Sequence, residues 1–147
     1  MNLELLYAAA GLGVLPAWLL LAVAPGWAWT HRLIHYIWLP LLCVSWAGLY
    51  AFKPPTTEGG GLESLPAFML LLTSPYSALL LWIQLNTWDL FVGAWQARDA
   101  RRLGIARVWV LPSLVGTLLL GPIGLLIYLT IRWVRRRSSS LQEGQRP

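Results

Sequence analysis

Apolar residues fill this chain in four long stretches, each parted from the next by prolines, glycines or charges. The first runs from about Leu3 to Ala24 and the second from about Leu33 to Phe52. Each approaches or exceeds the ~20 residues that cross a hydrocarbon core of ~30 Å. A third starts at Ser74-Pro75 and continues to about Arg102, with Gly104 as its terminator. The fourth covers Val108 to Trp133, interrupted by Pro112 and by Gly121-Pro122-Ile123-Gly124. Between the second and third lies Leu62 to Thr73, an apolar piece too short to span. Backbone groups in lipid must be satisfied within their own segment, so these stretches predict helices. The expected architecture is all-α: a membrane bundle of four transmembrane helices, with a short interfacial or re-entrant helix before the third. It occupies residues 1–133, and the polar, basic tail over 134–147 is expected to be disordered.

Local signals refine this pattern. Pro16 should kink the first helix by removing a backbone bond. Ala9 and Gly13, four apart, offer a small face for helix contact. Ser64 with Pro66 reads as the start of the short helix, and Ser74-Pro75 repeats that signal. The Gly121-Pro122 pair breaks the hydrogen-bond ladder of the fourth stretch and frees a carbonyl near Leu118.

Composition agrees with a membrane protein. The 147 residues are 57% hydrophobic and 12% charged, with mean hydropathy +0.59, whereas soluble domains carry about 25% charged residues. The net charge of +5 would suggest nucleic acid in a soluble chain. Here the arginines cluster at the ends of apolar stretches, so contact with membrane lipids explains them and nucleic acid is not expected as a partner. The N-terminal stretch begins acidic and is too long for a signal peptide, so it is read as a retained helix in a multi-pass protein of a bacterial inner membrane. Four crossings would put Lys53, Arg132, Arg135, Arg136, Arg137 and Arg146 on one side. Arg32, Arg98, Arg101, Arg102 and Arg107 would lie on the other. That balance does not decide orientation, although the basic tail beside a helix end favours a cytoplasmic C-terminus. Cys43 is alone, and one cysteine with two histidines is too small a set for a dedicated metal centre, so none is expected. No cofactor fingerprint is present.

The chemistry-bearing residue is Asp89, isolated in apolar sequence with no other charge until Arg98. Placing a charge in a bilayer costs about 2.5–3.5 kcal/mol on insertion scales, so such a residue normally faces a partner, cavity or substrate. Trp82, Asn86, Asp89, Gly93 and Gln96 follow steps of four and three and form one helical stripe. Leu79, Leu81, Leu85 and Phe91 lie largely elsewhere and are expected to face lipid. Connectivity puts His35 at a depth comparable to Asp89, which predicts a polar pocket of His35, Asn86, Asp89 and Gln96. The competing interpretations are structural. Asp89 could simply bond helices together, and Gln84 would be a helix–helix contact. Asp99 would join Arg98, Arg101 and Arg102 in a solvated network of low value, and Glu4 would pair with Arg132. Most of the ten tryptophans fit interfacial belts, while Trp82, Trp88 and Trp95 could line an elongated apolar ligand.

Trp88-Asp89-Leu90-Phe91-Val92-Gly93-Ala94-Trp95, Arg98-Asp99-Ala100, Gly104-Ile105 and Gly121-Pro122-Ile123-Gly124 together resemble the abscisic-acid-deficient-four-like family. The likeness is strongest over Pro75 to Arg132, and Pro25-Gly26-Trp27-Ala28-Trp29 and Ser74-Pro75 also fit. The resemblance implies a four-crossing membrane protein associated with converting violaxanthin-type epoxides to the allenic neoxanthin. Such a step needs no redox cofactor, only an acid for the epoxide oxygen and a base for a neighbouring proton. Asp89 would be the acid and Asp99 or His35 the base, making the chain a cofactor-independent isomerase. Trp82, Asn86, Trp88, Gly93, Trp95 and Gln96 would bind the carotenoid or related isoprenoid. The chain departs from the family at Gln84, where members commonly carry histidine. The alternative is a non-catalytic lipid- or pigment-binding subunit, acting as a homo-oligomer or with a partner membrane enzyme.

Overall fold

A computed structural model describes residues 2–143, with side chains as far as Arg135, and these residues form helices with no strand among them. The first apolar stretch is two helices, α1 (Leu3–Gly13) and α2 (Leu15–Val23). Asn2 caps α1 by accepting the Leu5 N–H at 3.2 Å. The break falls at Val14, two residues before Pro16, which therefore sits in the first turn of α2 and not in a helix interior. Trp38 donates its indole N–H to the Gly13 carbonyl at 2.8 Å and ties this break to the next segment.

That segment starts earlier than the sequence pattern suggests, at Ala28. It comprises α3 (Ala28–Leu33), a π-helical turn over Ile34–Trp38, and α4 (Leu39–Phe52). Pro40 has no N–H for the carbonyl four residues back, and the ladder widens by one residue just before it, with Leu39 N–H bonded to the Ile34 carbonyl. α5 (Leu65–Leu72) is short, as expected, and Ser64 accepts the Ala67 N–H at 3.3 Å. It meets α6 (Pro75–Arg102) at 100°. Ser74 occupies the cap position of α6 without a side-chain cap bond. Gly104, with φ 66°, closes α6, and Ile105 N–H reaches the Ala100 carbonyl at 2.9 Å.

α6 is the centre of the bundle. Ile83, Leu90, Ala94 and Ala97 on it pack with Val14, Ala17, Trp18 and Leu21 of the first segment, and with Val110, Leu114 and Tyr128 from the last third. The first segment runs parallel to α6: Tyr7 stacks on Trp82 at 5.0 Å, and the Pro25 carbonyl accepts from Arg101 at 2.9 Å. α4 runs antiparallel, with the Tyr76 hydroxyl donating to the Leu49 carbonyl. Leu79, expected to face lipid, is 1% exposed in this core. Leu85 and Phe91 are exposed, as expected.

The last third departs from the sequence reading. The stretch from Val108 to Trp133 does not form one crossing. It divides into α7 (Arg107–Leu120) and α8 (Pro122–Glu143), which fold against each other as an antiparallel hairpin. Gly121 makes the turn with φ 36° and ψ −86°, a conformation essentially reserved for glycine. The helices touch through their glycines: a Cβ on Gly116 would stand 2.9 Å from the Gly124 Cα. Near the open end, the Arg135 guanidinium lies over the Trp109 ring at 5.8 Å. In one straight helix those residues would be about 39 Å apart. Among the described residues there are accordingly two helical segments long and apolar enough to cross a membrane, Leu3–Val23 and Ala28–Phe52. A third is present if α5 and α6 count as one bent span. Four crossings are not supported, because α7 is too short to span and α8 returns beside it. The tail expected from residue 134 onward runs along the end of α8 to Glu143, and residues 144–147 lie outside the described residues.

Candidate functional site

The polar stripe on α6 exists, and each member has a different neighbour. Trp82 packs its ring 3.2 Å from where a Cβ on Gly11 would be. Asn86 Nδ2 donates back to the Trp82 carbonyl at 2.8 Å, a local bond that spends its donor on its own helix. A Cβ on Gly93 would come within 2.6 Å of the Trp18 ring, so only glycine admits that tryptophan. Gln96 is fully buried and donates to Thr117 Oγ1 at 2.9 Å, and that hydroxyl donates to the Ser113 carbonyl at 2.8 Å. The lower stripe therefore packs against α1 and α2, and the upper stripe bonds to α7.

Asp89 lies between these two regions, half-buried, at the tip of the α7–α8 hairpin. A Cβ on Gly121 would stand 2.8 Å from Asp89 Oδ1. The carboxylate makes no hydrogen bond or ion pair with any described residue. In apolar surroundings that is an unusual state for an acid, since buried polar groups normally find partners.

Asp99 behaves differently from its sequence reading. It is not part of a solvated network with Arg98, Arg101 and Arg102. The side chain is buried and accepts the Tyr128 hydroxyl at 2.8 Å and the Arg132 Nε–H at 2.7 Å. Hairpin closure brings Arg132 to this end, so Arg132 pairs with Asp99 and not with Glu4. Trp95 meets the Tyr128 ring edge-on at 5.3 Å. Asp99, Tyr128, Arg132 and Trp95 lock α8 to α6. Asp99 is also about 15 Å from Asp89 along the helix axis, too far for both carboxylates to act on one epoxide.

His35 donates through Nδ1–H to the His31 carbonyl at 3.0 Å, one turn back along the same helical segment. No hydrogen bond or ion pair joins it to Asp89, Asn86 or Gln96. The four residues do not close into the polar pocket that the sequence predicts.

A groove that the sequence did not single out runs along α4 and α6. One part, of about 280 Å³, is lined by Cys43, Trp46, Gln84, Thr87 and Trp88. A second, of about 450 Å³, shares Trp46 and Gln84 and extends past Ser77 and Leu81 to Gly60 and Leu62 of the loop before α5. Trp46 Nε1 and Ser77 Oγ are buried at this seam with no hydrogen-bond partner. Trp46 stacks on Tyr50 at 5.2 Å, which presents a flat aromatic wall. Of the three tryptophans proposed from the sequence to line a ligand, Trp88 borders this groove, while Trp82 and Trp95 are spent on packing. A larger hollow of about 570 Å³ between α2 and α7 is lined by aliphatic side chains, Pro16 and Trp18, so it holds no group that would orient a ligand.

Thr117, Tyr128 and Arg132 were missed as partners because each belongs to a helix assumed to run straight. Ser113 and Thr117, four apart in apolar sequence, were the readable sign of a polar face on α7. Trp46 and Ser77 gave no pattern of their own.

No curated protein and no solved structure is significantly similar to this chain. The family model described as ABA DEFICIENT 4-like matches residues 5–128, which takes in both apolar segments, the Asp89 stripe and the Gly121 turn. The chain belongs to the ABA DEFICIENT 4-like family.

Proposed function

We propose that this membrane protein binds a carotenoid or related isoprenoid in the groove between α4 and α6. The observation that carries the reading is the seam itself: an elongated, mainly apolar hollow with a flat Trp46–Tyr50 wall and two buried polar atoms without partners. A polyene fills such a hollow by stacking and apolar contact. An oxygenated end ring supplies what the two bare atoms lack, accepting from Trp46 N–H and bonding Ser77 Oγ. Gln84, the position where family members commonly carry histidine, sits where the two parts of the groove join. The multi-pass disposition and a bacterial inner membrane are part of this proposal.

A second reading, isomerisation, rests on Asp89. An epoxide-to-allene conversion is redox-neutral. A proton goes to the epoxide oxygen as the C–O bond opens, and a proton leaves the adjacent chain carbon as the new C=C forms. One carboxyl group can deliver the first proton and its conjugate base can take the second. That single-residue scheme replaces a pair with Asp99, which is already bonded to Tyr128 and Arg132. Asp89 and Gln84 lie about 140° apart around α6, so a molecule seated in the groove does not face Asp89. This angle favours the binding reading over catalysis.

The test is purification in mild detergent from cells that make carotenoids, followed by pigment and lipid analysis. A stoichiometric polyene, lost on Trp46→Ala, supports the reading. A preparation holding only bulk phospholipid contradicts it.

A further inference from the structure

The hairpin changes where the charges lie. Because α8 returns beside α7, Arg132 pairs with Asp99 and Arg135 covers Trp109, at the end where α6 finishes and α7 begins. Arg98, Arg101 and Arg102 close α6 there, and Arg107 opens α7. The loop between α2 and α3 lies at the same end, since Arg101 bonds the Pro25 carbonyl, and Arg32 stands over Trp29 at 5.4 Å. Trp27, Trp29, Trp109 and Trp133 are exposed around this end. The opposite end carries Lys53 with Glu4, Glu58 and Glu63. Every arginine whose side chain is described is therefore on one face of the bundle, and the near-even balance of a four-crossing chain disappears.

We propose that this arginine-bearing end rests on the acidic phospholipid headgroups of the cytoplasmic leaflet, with α7 and α8 entering and leaving the bilayer through that same face. Three arguments meet here. Basic residues near membrane ends are retained on the cytoplasmic side. Guanidinium groups pair with phosphate oxygens in a planar, two-point fashion. Tryptophans at the same level anchor at the headgroup boundary. The hairpin itself suits partial entry. α7, at about 21 Å, reaches roughly two thirds of the way through a hydrocarbon core and ends at the depth of Asp89. The acid at its tip is then held within the bilayer while both hairpin ends remain at one surface.

The experiment is labelling of single cysteines in the full chain with a membrane-impermeant maleimide, in a Cys43→Ser background. Thr56→Cys, beyond α4, is expected to react in intact bacterial cells. Ala106→Cys and Val134→Cys are expected to react only in inverted vesicles. Val134→Cys reacting together with Thr56→Cys would overturn the hairpin placement. Ala106→Cys reacting in intact cells would overturn the orientation. A fluorescent reporter that matures only in the cytoplasm, fused after Pro147 of the unsubstituted chain, tests the side of the C-terminus without substitutions: it glows, or the orientation fails. For the lipid partner, the labelling rate at Ala106→Cys is compared in phosphatidylcholine vesicles with and without phosphatidylglycerol. A several-fold slowing with the acidic lipid is expected, with none at Thr56→Cys. Equal rates at Ala106→Cys would remove the headgroup contact.

Discussion

Arg132 donates to Asp99 at 2.7 Å across 33 positions of sequence, and this contact holds the last helix against α6. The Tyr128 hydroxyl shares the same carboxylate oxygen at 2.8 Å. Asp99→Ala leaves a buried hydroxyl and a partly buried guanidinium without their acceptor. A fully buried pair would cost 3–5 kcal/mol to break, but Arg132 is 30% exposed, so about 1–3 kcal/mol is expected. Thermal unfolding in detergent measures it, and Asp99→Ala combined with Arg132→Ala should cost less than the sum of the two.

Gly124 admits no side chain. A Cβ there would stand 1.9 Å from the Thr117 amide nitrogen, which is backbone and cannot swing aside. Gly124→Ala is expected to destabilise by more than about 3 kcal/mol, or to pry the hairpin apart. Gly13→Ala, with nothing within 4 Å, should change stability by less than about 1 kcal/mol. Equal melting temperatures for the two variants would contradict the packing described.

Asp89→Asn removes no hydrogen bond or ion pair with a described residue, so its stability should stay within about 0.5 kcal/mol of the parent. If Asp89 moves protons, the same change abolishes isomerised product while melting temperature and abundance hold. Product formed at the parental rate would assign the site to binding alone.

Trp46→Phe keeps the aromatic wall and deletes the indole donor. Loss of one hydrogen bond of about 1 kcal/mol should weaken polyene binding roughly fivefold. Titration of the purified protein with a hydroxylated carotenoid, followed by absorbance, reads this ratio. Unchanged affinity would move the ligand out of the groove.

Much of the helical layout was legible because each boundary has a local cause. Ser64 caps α5, Gly104 closes α6, and Pro16 displaces the first break to Val14. The stripe on α6 was legible too, because helical spacing fixes which side chains share a face. What faces that stripe was not. Gly121-Pro122 reads equally well as a kink or as a reversal, and only the close approach of Gly116 to Gly124 distinguishes them. From that one ambiguity follow the unsupported fourth crossing, the different partner for Arg132, and the mixed charge balance. The groove was hidden for another reason. Trp46, Ser77 and Gln84 meet only after α4 packs antiparallel to α6, and each alone looks like an ordinary residue of an apolar helix.

The distance between spin labels placed at the exposed positions Val108 and Val134 tests the reversal at Gly121 most directly. With α7 and α8 side by side, double electron–electron resonance in a bilayer should give less than about 20 Å, helix spacing plus label arms. A distance near the roughly 39 Å of a straight helix would contradict it and separate Arg132 from Asp99.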